Sequence, residues 1–348
     1  MSTYASVAAM QIRDLCESLG LGSCTADVQA LFERMARGWG QHPVDRGPLW
    51  TSDLTDDHTP YEFSIAFRED RPELRILVES QTLAGTVHDQ WRAGLTLHDQ
   101  LASDLGLHRE RFDAIRSEFA PSATCRAGFA LWHSVVFDPG GHHLLKVYLN
   151  PRIDGHPDAP RRVRAALQAA GFGHAWDTVA RLMDPHSAPC YLSLDVMDSG
   201  GRVKVYIAHP GKTLGSYSDQ LGRLSEDAAR DAATLIGQFA GRDQRFEHRP
   251  LLTCLGFRSD STAFDTTIHF PVRSYVRSDQ DSLDGISKFL HPRAFARLAD
   301  ALKRLAGGPL SGSRGRVSYV SRTRTPSGLR HTIYVAPLCH AAGAGRTT

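Results

Sequence analysis

The stretch that decides the fold is 144–151, LLKVYLNP, because the chain says it again at 202–210 as RVKVYIAHP. Both alternate polar and apolar residues with a period of two, the pattern of a strand with one buried face. Lys146 and Tyr148 share one face, with Val147 and Leu149 on the other. Lys204 and Tyr206 share one face, with Val203, Val205 and Ile207 opposite. An ordinary half-buried strand shows a cation and a phenol to bulk water. Repeating the pair near the end of a hairpin points instead to the inside of a tunnel.

The frame recurs in weaker form at 74–80 (LRILVES, with Arg75 in the cation position), at 266–273 (TTIHFPVR, with Thr267 and His269) and at 329–337 (LRHTIYVAP, with Thr332 and Tyr334). Each copy follows another strand-like run, so five hairpins start near residues 61, 129, 191, 252 and 317, about 60–70 residues apart. Three of the intervening turns read DPGG, DSGG and TPSG, good hairpin material. A fixed period of this kind is the mark of a repeat architecture.

Between the hairpins lie amphipathic stretches. Helices are expected over 5–20, 25–39, 86–104, 108–118, 158–171, 174–184, 280–291 and 293–306, with one long helix near 225–241. The order is two helices and two strands, repeated about five times, the third unit partly merged. Ten antiparallel strands can close into a barrel wide enough to hold a ligand. The helices then cover its apolar outside, and Lys, Arg, Tyr, Glu and His line a solvated lumen. The alternative with the same periodicity is an open antiparallel sheet with helices on one face and its cations in solvent.

The 40 basic and 38 acidic residues leave a net charge of +2, which argues against a nucleic-acid binder. The six cysteines (Cys16, Cys24, Cys125, Cys190, Cys254 and Cys339) are scattered and form neither a zinc motif nor a disulfide framework. Arg13 and Asp14 interrupt the place where a secretory core is apolar, and no run is long and uncharged enough to span a membrane. A reduced, cytoplasmic setting is the expectation, as a monomer or homodimer. No low-complexity linker divides the chain, so 1–340 reads as one domain and the tail from Ala341 as disordered.

PYEFSIAF, the Arg of LRILVES, KVYLNP, RVKVYIAHP, FPVRSYV and TIYVAP, in that order, resemble the dimethylallyltryptophan synthase family of aromatic prenyltransferases, from about Trp50 to Pro337. The resemblance implies the family's ten-stranded barrel ringed by helices in ααββ units. It also implies transfer of a dimethylallyl group from its diphosphate, a co-substrate, to an indole of tryptophan or a tryptophan derivative.

That chemistry sets four tasks. The leaving diphosphate needs cations aimed at its oxygens, and the resemblance assigns them to Arg75, Lys146, Arg202 and Lys204. For any one of these, the competing role is an ion pair with Glu62, Glu79 or Asp195. The allyl cation needs aromatic faces that stabilise it and keep water out. The matching positions are Tyr148, Tyr206, Tyr319 and Tyr334, with His269 where the family usually has tyrosine. A protonated His269 would attract the diphosphate, and a neutral one can donate to it. The indole N–H needs an acceptor, matched by Glu62, which shares a face with Ser64 and Ala66 and is expected to stay ionised; Leu54 matches an apolar residue that packs on the acceptor. The ring proton needs a base, and counting back along the second hairpin puts His133 at or near that position.

Metal is not expected. Mg²⁺-dependent prenyl-diphosphate chemistry uses clustered aspartates, and Asp56-Asp57 lacks a spaced third. Lysine and arginine can supply the charge that Mg²⁺ supplies elsewhere. Two competing functions use the same barrel: prenylation of a phenolic or tyrosine acceptor, and non-catalytic binding of an anionic small molecule.

Overall fold

The computed structural model describes residues 1–340 except Leu49, 83–84, 138–139, 141–142, 198–200 and 326–327. The turns DPGG, DSGG and TPSG lie partly outside the described residues, and the tail from Ala341 wholly so.

Ten strands form the sheet: β1 Tyr61–Arg68, β2 Arg71–Glu79, β3 Leu131–Phe137, β4 His143–Leu149, β5 Ala188–Val196, β6 Arg202–His209, β7 Leu251–Arg258, β8 Phe264–Phe270, β9 Val317–Thr325 and β10 Gly328–Val335. Each pairs antiparallel with its sequence neighbours, and β1 pairs with β10 from Phe63↔Val335 to Phe67↔His331. That last pairing closes the barrel and removes the open-sheet alternative, leaving no sheet edge exposed.

Most outward residues of the strands are apolar. Phe63, Ile65, Phe67, Val147, Leu149, Val203, Val205 and Ile207 are all essentially inaccessible and belong to one continuous apolar layer with the helices. Burying one such large side chain is worth about 1.5–3 kcal/mol. A one-residue slip of β1 would turn Phe63, Ile65 and Phe67 into the polar lumen, so the burial fixes the register.

The helices form the outer ring. The first, Tyr4–Leu19, starts at a capping box between Thr3 and Ser6 and ends at Gly20, whose φ of 75° is a left-handed conformation glycine adopts without strain. It packs against Pro292–Ala306, which has proline in its first turn and Gly307 at its end.

The third unit departs from the expectation. Glu226–Ile236 stands where one long helix near 225–241 was expected, and a helix that was not expected, Leu214–Gly222, precedes it. The unexpected helix opens with a second capping box, Thr213 with Ser216. Gly215 and Gly222 dilute its apolar periodicity, which hid it in the sequence. Among the described residues, no helix is long and apolar enough to cross a membrane. All six cysteines are free.

Candidate active site

The inward residues of the strands divide the lumen into two adjoining compartments. The lower is lined by Arg75, Lys146, Lys204 and Arg330, with Cys254, Thr267, Ser321, Thr323 and Thr332 between them. The upper is lined by Glu62, Leu77, Trp132, Tyr191, Leu252 and Tyr319, with Asp53, Leu54, Arg249 and Arg273 also lining it. Tyr148, Tyr206, His269 and Tyr334 line both and form the belt between them.

Strand parity builds the lower compartment. Lys146 pairs across to Asp195, Ser193 to Lys204, and Thr323 to Arg330. Arg75 holds Glu73 at 2.7 Å, Lys146 Nζ lies 3.6 Å from Asp195, and Arg202 reaches Asp195 at 3.0 Å and Asp265 at 3.6 Å. Of the partners expected for the competing role, Asp195 alone is found; Glu62 and Glu79 bond to Ser318 and Ser52 instead, and Glu73 and Asp265 pair with the cations. They do not balance the site. Among the described residues, Arg75, Lys146, Arg202, Lys204 and Arg330 form ion pairs only with Glu73, Asp195 and Asp265, and Lys204 has no ion-pair partner.

The electrostatics follow. Burial and the neighbouring Arg202 and Arg330 push the Lys204 ammonium down to about 8, despite Cys254 and Asp195. Burial lowers Lys146 well below the usual lysine range. Arg330 is lowered to about 10 by burial and by Arg75. Unpaired buried cations are costly, and an anion placed among them relieves that cost. The compartment is preorganised for a multiply charged anion.

The belt is contiguous. Ring centroids lie 6.0 Å apart for Tyr148–Tyr206, 5.6 Å for Tyr206–His269, 5.7 Å for His269–Tyr334 and 6.2 Å for Tyr334–Tyr319. Burial, together with the Lys204 charge, lowers His269 to about 3, so its imidazole is neutral and has no charge with which to repel a carbocation. Tyr191 and Trp132 extend the aromatic wall upward, 5.9 Å from Tyr206 and 5.5 Å from Tyr191 respectively.

Glu62 sits above the belt. Ser318 donates to its Oε1 at 2.6 Å. A bulge makes this possible: Ile333 pairs with Val320 but Val335 with Val317, so Ser318 and Tyr319 both stand opposite Tyr334. The expectation that Glu62 stays ionised needs correction. Burial outweighs the Ser318 hydrogen bond and the Arg273 charge and raises its carboxyl to about 7, so near neutrality only about half is ionised.

Leu54 reaches the upper compartment on loop 50–59, which is tied down at several points. Trp50 Nε1–H donates to the Gly128 carbonyl at 3.2 Å, and Ser52 donates to Glu79. Asp57 accepts from Thr55 at 2.8 Å and from Thr59 at 2.7 Å. Glu79 is fully buried and raised to about 8 by burial, so at neutral pH it is a protonated acid bonded to the loop.

His133 is not brought to this site. It pairs with Val147 on the outer face, while its neighbour Trp132 pairs with Tyr148 and faces the lumen. Its ring lies 5.6 Å from that of His98 on helix Val87–Asp104, and neither of its nitrogens has a partner among the described residues. Burial lowers it well below the usual histidine range, so it is a neutral core residue. Counting back through a turn of unknown length put it on the wrong side of the sheet, since one residue exchanges the faces.

The remaining predicted residues are brought together. Arg75, Lys146 and Lys204 line the lower compartment, Arg202 joins them through Asp195, and Glu62, Leu54 and the four tyrosines line the upper compartment or the belt. Arg330 was missed although it was legible, two residues before Thr332 on the same face of β10. Tyr191 was legible in the same way, two residues before Ser193. Arg249 and Arg273 flank strands rather than lie in them, and no periodicity marks them. Among the described residues, no three His, Cys, Asp or Glu side chains are grouped to hold a metal ion.

The profile of the tryptophan dimethylallyltransferase family matches residues 38–304. Among solved structures, 6-dimethylallyltryptophan synthase from Micromonospora olivasterospora, in complex with DMASPP and Trp, is 26% identical with a TM-score of 0.90 over 98% of this chain and 99% of that one. The 5-dimethylallyltryptophan synthase from Streptomyces coelicolor is 28% identical, with a TM-score of 0.88 over 99% of both chains. Prenyltransferase PriB, in a ternary complex with L-tryptophan and dimethylallyl thiolodiphosphate, is 30% identical with a TM-score of 0.87 over 100% of this chain and 99% of that one. No curated protein sequence matches the chain.

Proposed function

The chain belongs to the tryptophan dimethylallyltransferase family, and from that premise we propose that its lumen moves a dimethylallyl group from dimethylallyl diphosphate to the indole ring of tryptophan or a tryptophan derivative, without a metal ion. The observation that carries this reading is the pair of adjoining compartments with an aromatic belt between them. Relatives solved with DMASPP or dimethylallyl thiolodiphosphate and tryptophan support the same pair of substrates.

In this reading the lower compartment takes the diphosphate. Arg75, Lys146, Arg202, Lys204 and Arg330 stabilise the charge that develops as the C–O bond breaks, the task Mg²⁺ performs in other phosphate chemistry. The allyl cation forms against Tyr148, Tyr206, Tyr334 and the neutral His269, whose faces attract it and exclude water. The indole enters the upper compartment beside Leu54, with its N–H donated to ionised Glu62. That bond raises the electron density of the ring as the carbon–carbon bond forms. The ring proton then leaves to a group of the lumen or to water, because His133 lies on the other side of the sheet.

The test is product formation from dimethylallyl diphosphate and L-tryptophan in excess EDTA. A prenylated tryptophan formed at an undiminished rate is expected. Complete loss of turnover, restored by Mg²⁺, contradicts the assignment of the charge to side chains.

A further inference from the structure

The lower compartment is suited to an anion, yet an anion already stands beside its cations. Glu73 shares the inward face of β2 with Arg75, and its Oε2 lies 2.7 Å from Arg75 Nη2. Burial raises the Glu73 carboxyl, but Arg75, Arg330 and Lys146 outweigh it and hold the group below the ordinary glutamate value, so it is ionised. Asp195 is the contrasting carboxylate. Its side chain is 2% exposed and is held between two cations, Lys146 at 3.6 Å and Arg202 at 3.0 Å. Glu73 serves one cation, has the longer side chain and is 30% exposed, so water can receive it when it turns from Arg75. Arg75 has capacity to share. Its Nη2 is taken by Glu73, while its buried Nε has no partner among the described residues.

The chemistry gives such a carboxylate a task. When the C–O bond of an allylic diphosphate breaks, both electrons stay on the bridging oxygen. The diphosphate therefore gains one negative charge. A compartment that stabilises this charge in the transition state holds the product more tightly than the substrate. Release of product then limits turnover unless something loosens it.

We propose that Glu73 and the diphosphate exchange on Arg75: Glu73 holds the guanidinium between turnovers, yields it to the substrate, and competes for it again to expel inorganic diphosphate. Glu73 is thus a positioning residue that acts through Arg75. The inference rests on the reading of the lower compartment as the diphosphate site and deepens it. Asp195, buried between two cations, stays in place through the cycle.

The test is binding of inorganic diphosphate in excess EDTA, by calorimetry, to the wild type, Glu73→Gln and Glu73→Ala. Removing the competing carboxylate tightens binding about tenfold, the low end for a charge-assisted hydrogen bond because Glu73 is partly solvated. The gain lies in the dissociation rate, read by stopped-flow displacement, which slows by the same factor. In an Arg75→Gln background Glu73→Gln no longer tightens binding, because the shared guanidinium is gone. A carboxylate that only orients Arg75 gives the opposite sign, weaker binding in both variants. That result overturns the exchange, as does an unchanged affinity or an unchanged dissociation rate. Equal tightening in the Arg75→Gln background overturns it too, since Glu73 would then act by its charge alone. Loss of folded protein in both variants makes Glu73 a structural counter-ion and has the same consequence. Each of these leaves prenyl transfer itself standing. A wild type that binds no inorganic diphosphate overturns the functional reading and the exchange with it.

Discussion

The two compartments of the lumen are built differently. Every cation of the lower one sits on a strand, held in place by the pleat; Asp195 holds Lys146 and Arg202 from the strand between them, and Glu73 holds Arg75 from two residues back on its own strand. The upper one is assembled from strand ends, a bulge, the tied-down loop 50–59 and two arginines that flank strands. The donor end thus depends on the regularity of the barrel. The acceptor end depends on the pieces added to it, and loops on a rigid scaffold are where specificity is readily varied.

If the lower compartment is the engine of ionisation, removing a cation that has no ion-pair partner carries the largest effect. Lys204→Ala removes a buried ammonium with no ion-pair partner among the described residues. Losing one such contact to a developing anion costs about 2.7–4 kcal/mol, roughly a hundred- to a thousandfold in turnover. Turnover at the wild-type rate, measured with saturating substrates, would mean that Lys204 does not serve the diphosphate.

The belt between the compartments is expected to matter next. Tyr206 touches Tyr148, Tyr191 and His269. Tyr206→Ala opens a path for water, so hydrolysis of the diphosphate rises relative to transfer by about tenfold. His269→Tyr is tolerated, because His269 is already a neutral ring in that place. An unchanged hydrolysis share in Tyr206→Ala, read from labelled prenyl alcohol, contradicts the shielding role.

A smaller effect separates the compartments by pH. Glu62 is ionised above about 7, and only the ionised form accepts the indole N–H, so kcat/KM for tryptophan rises as pH passes upward through that value. Lys204 is charged below about 8, and only the charged form attracts the diphosphate, so kcat/KM for dimethylallyl diphosphate falls as pH rises through that value. One common profile for both substrates, with both limbs in each, would argue against a division of labour.

The smallest effect on the reaction belongs to His133. It lies outside the lumen, so His133→Ala leaves product position and the isotope effect on the departing ring proton unchanged. The variant instead loses about 1–3 kcal/mol of stability through the cavity it creates. A larger isotope effect in that variant would return His133 to the proton-transfer step.

The same contrast explains what could be read from the sequence. Alternation in KVY and its copies placed Lys146, Lys204, Tyr148 and Tyr206 on the inner face, and closure of ten strands made that face a lumen. Arg330 obeys the same parity and needed only two more steps back along β10. Parity within a strand does not cross a turn, which is how His133 was taken for Trp132's position. Ser318 reaches Glu62 only because of a bulge, and a bulge leaves no mark on an alternating pattern. Arg249 and Arg273 meet Asp56 across about two hundred residues of chain, a proximity that only the closed barrel creates. The pKa values of Glu62 and Lys204 belong to the same class, since they follow from how deeply the lumen is buried.

The lower compartment makes the cation and the upper one directs it. Labelled dimethylallyl diphosphate followed in Lys204→Ala and Glu62→Gln, with transfer and hydrolysis measured separately, tests this division. Lys204→Ala is expected to slow both in proportion, because both require ionisation. Glu62→Gln depresses transfer strongly while hydrolysis continues, because the cation still forms but meets an indole whose N–H has lost its anionic acceptor. If Glu62→Gln slows both in proportion, or Lys204→Ala suppresses transfer while hydrolysis continues, the division between the two compartments is wrong.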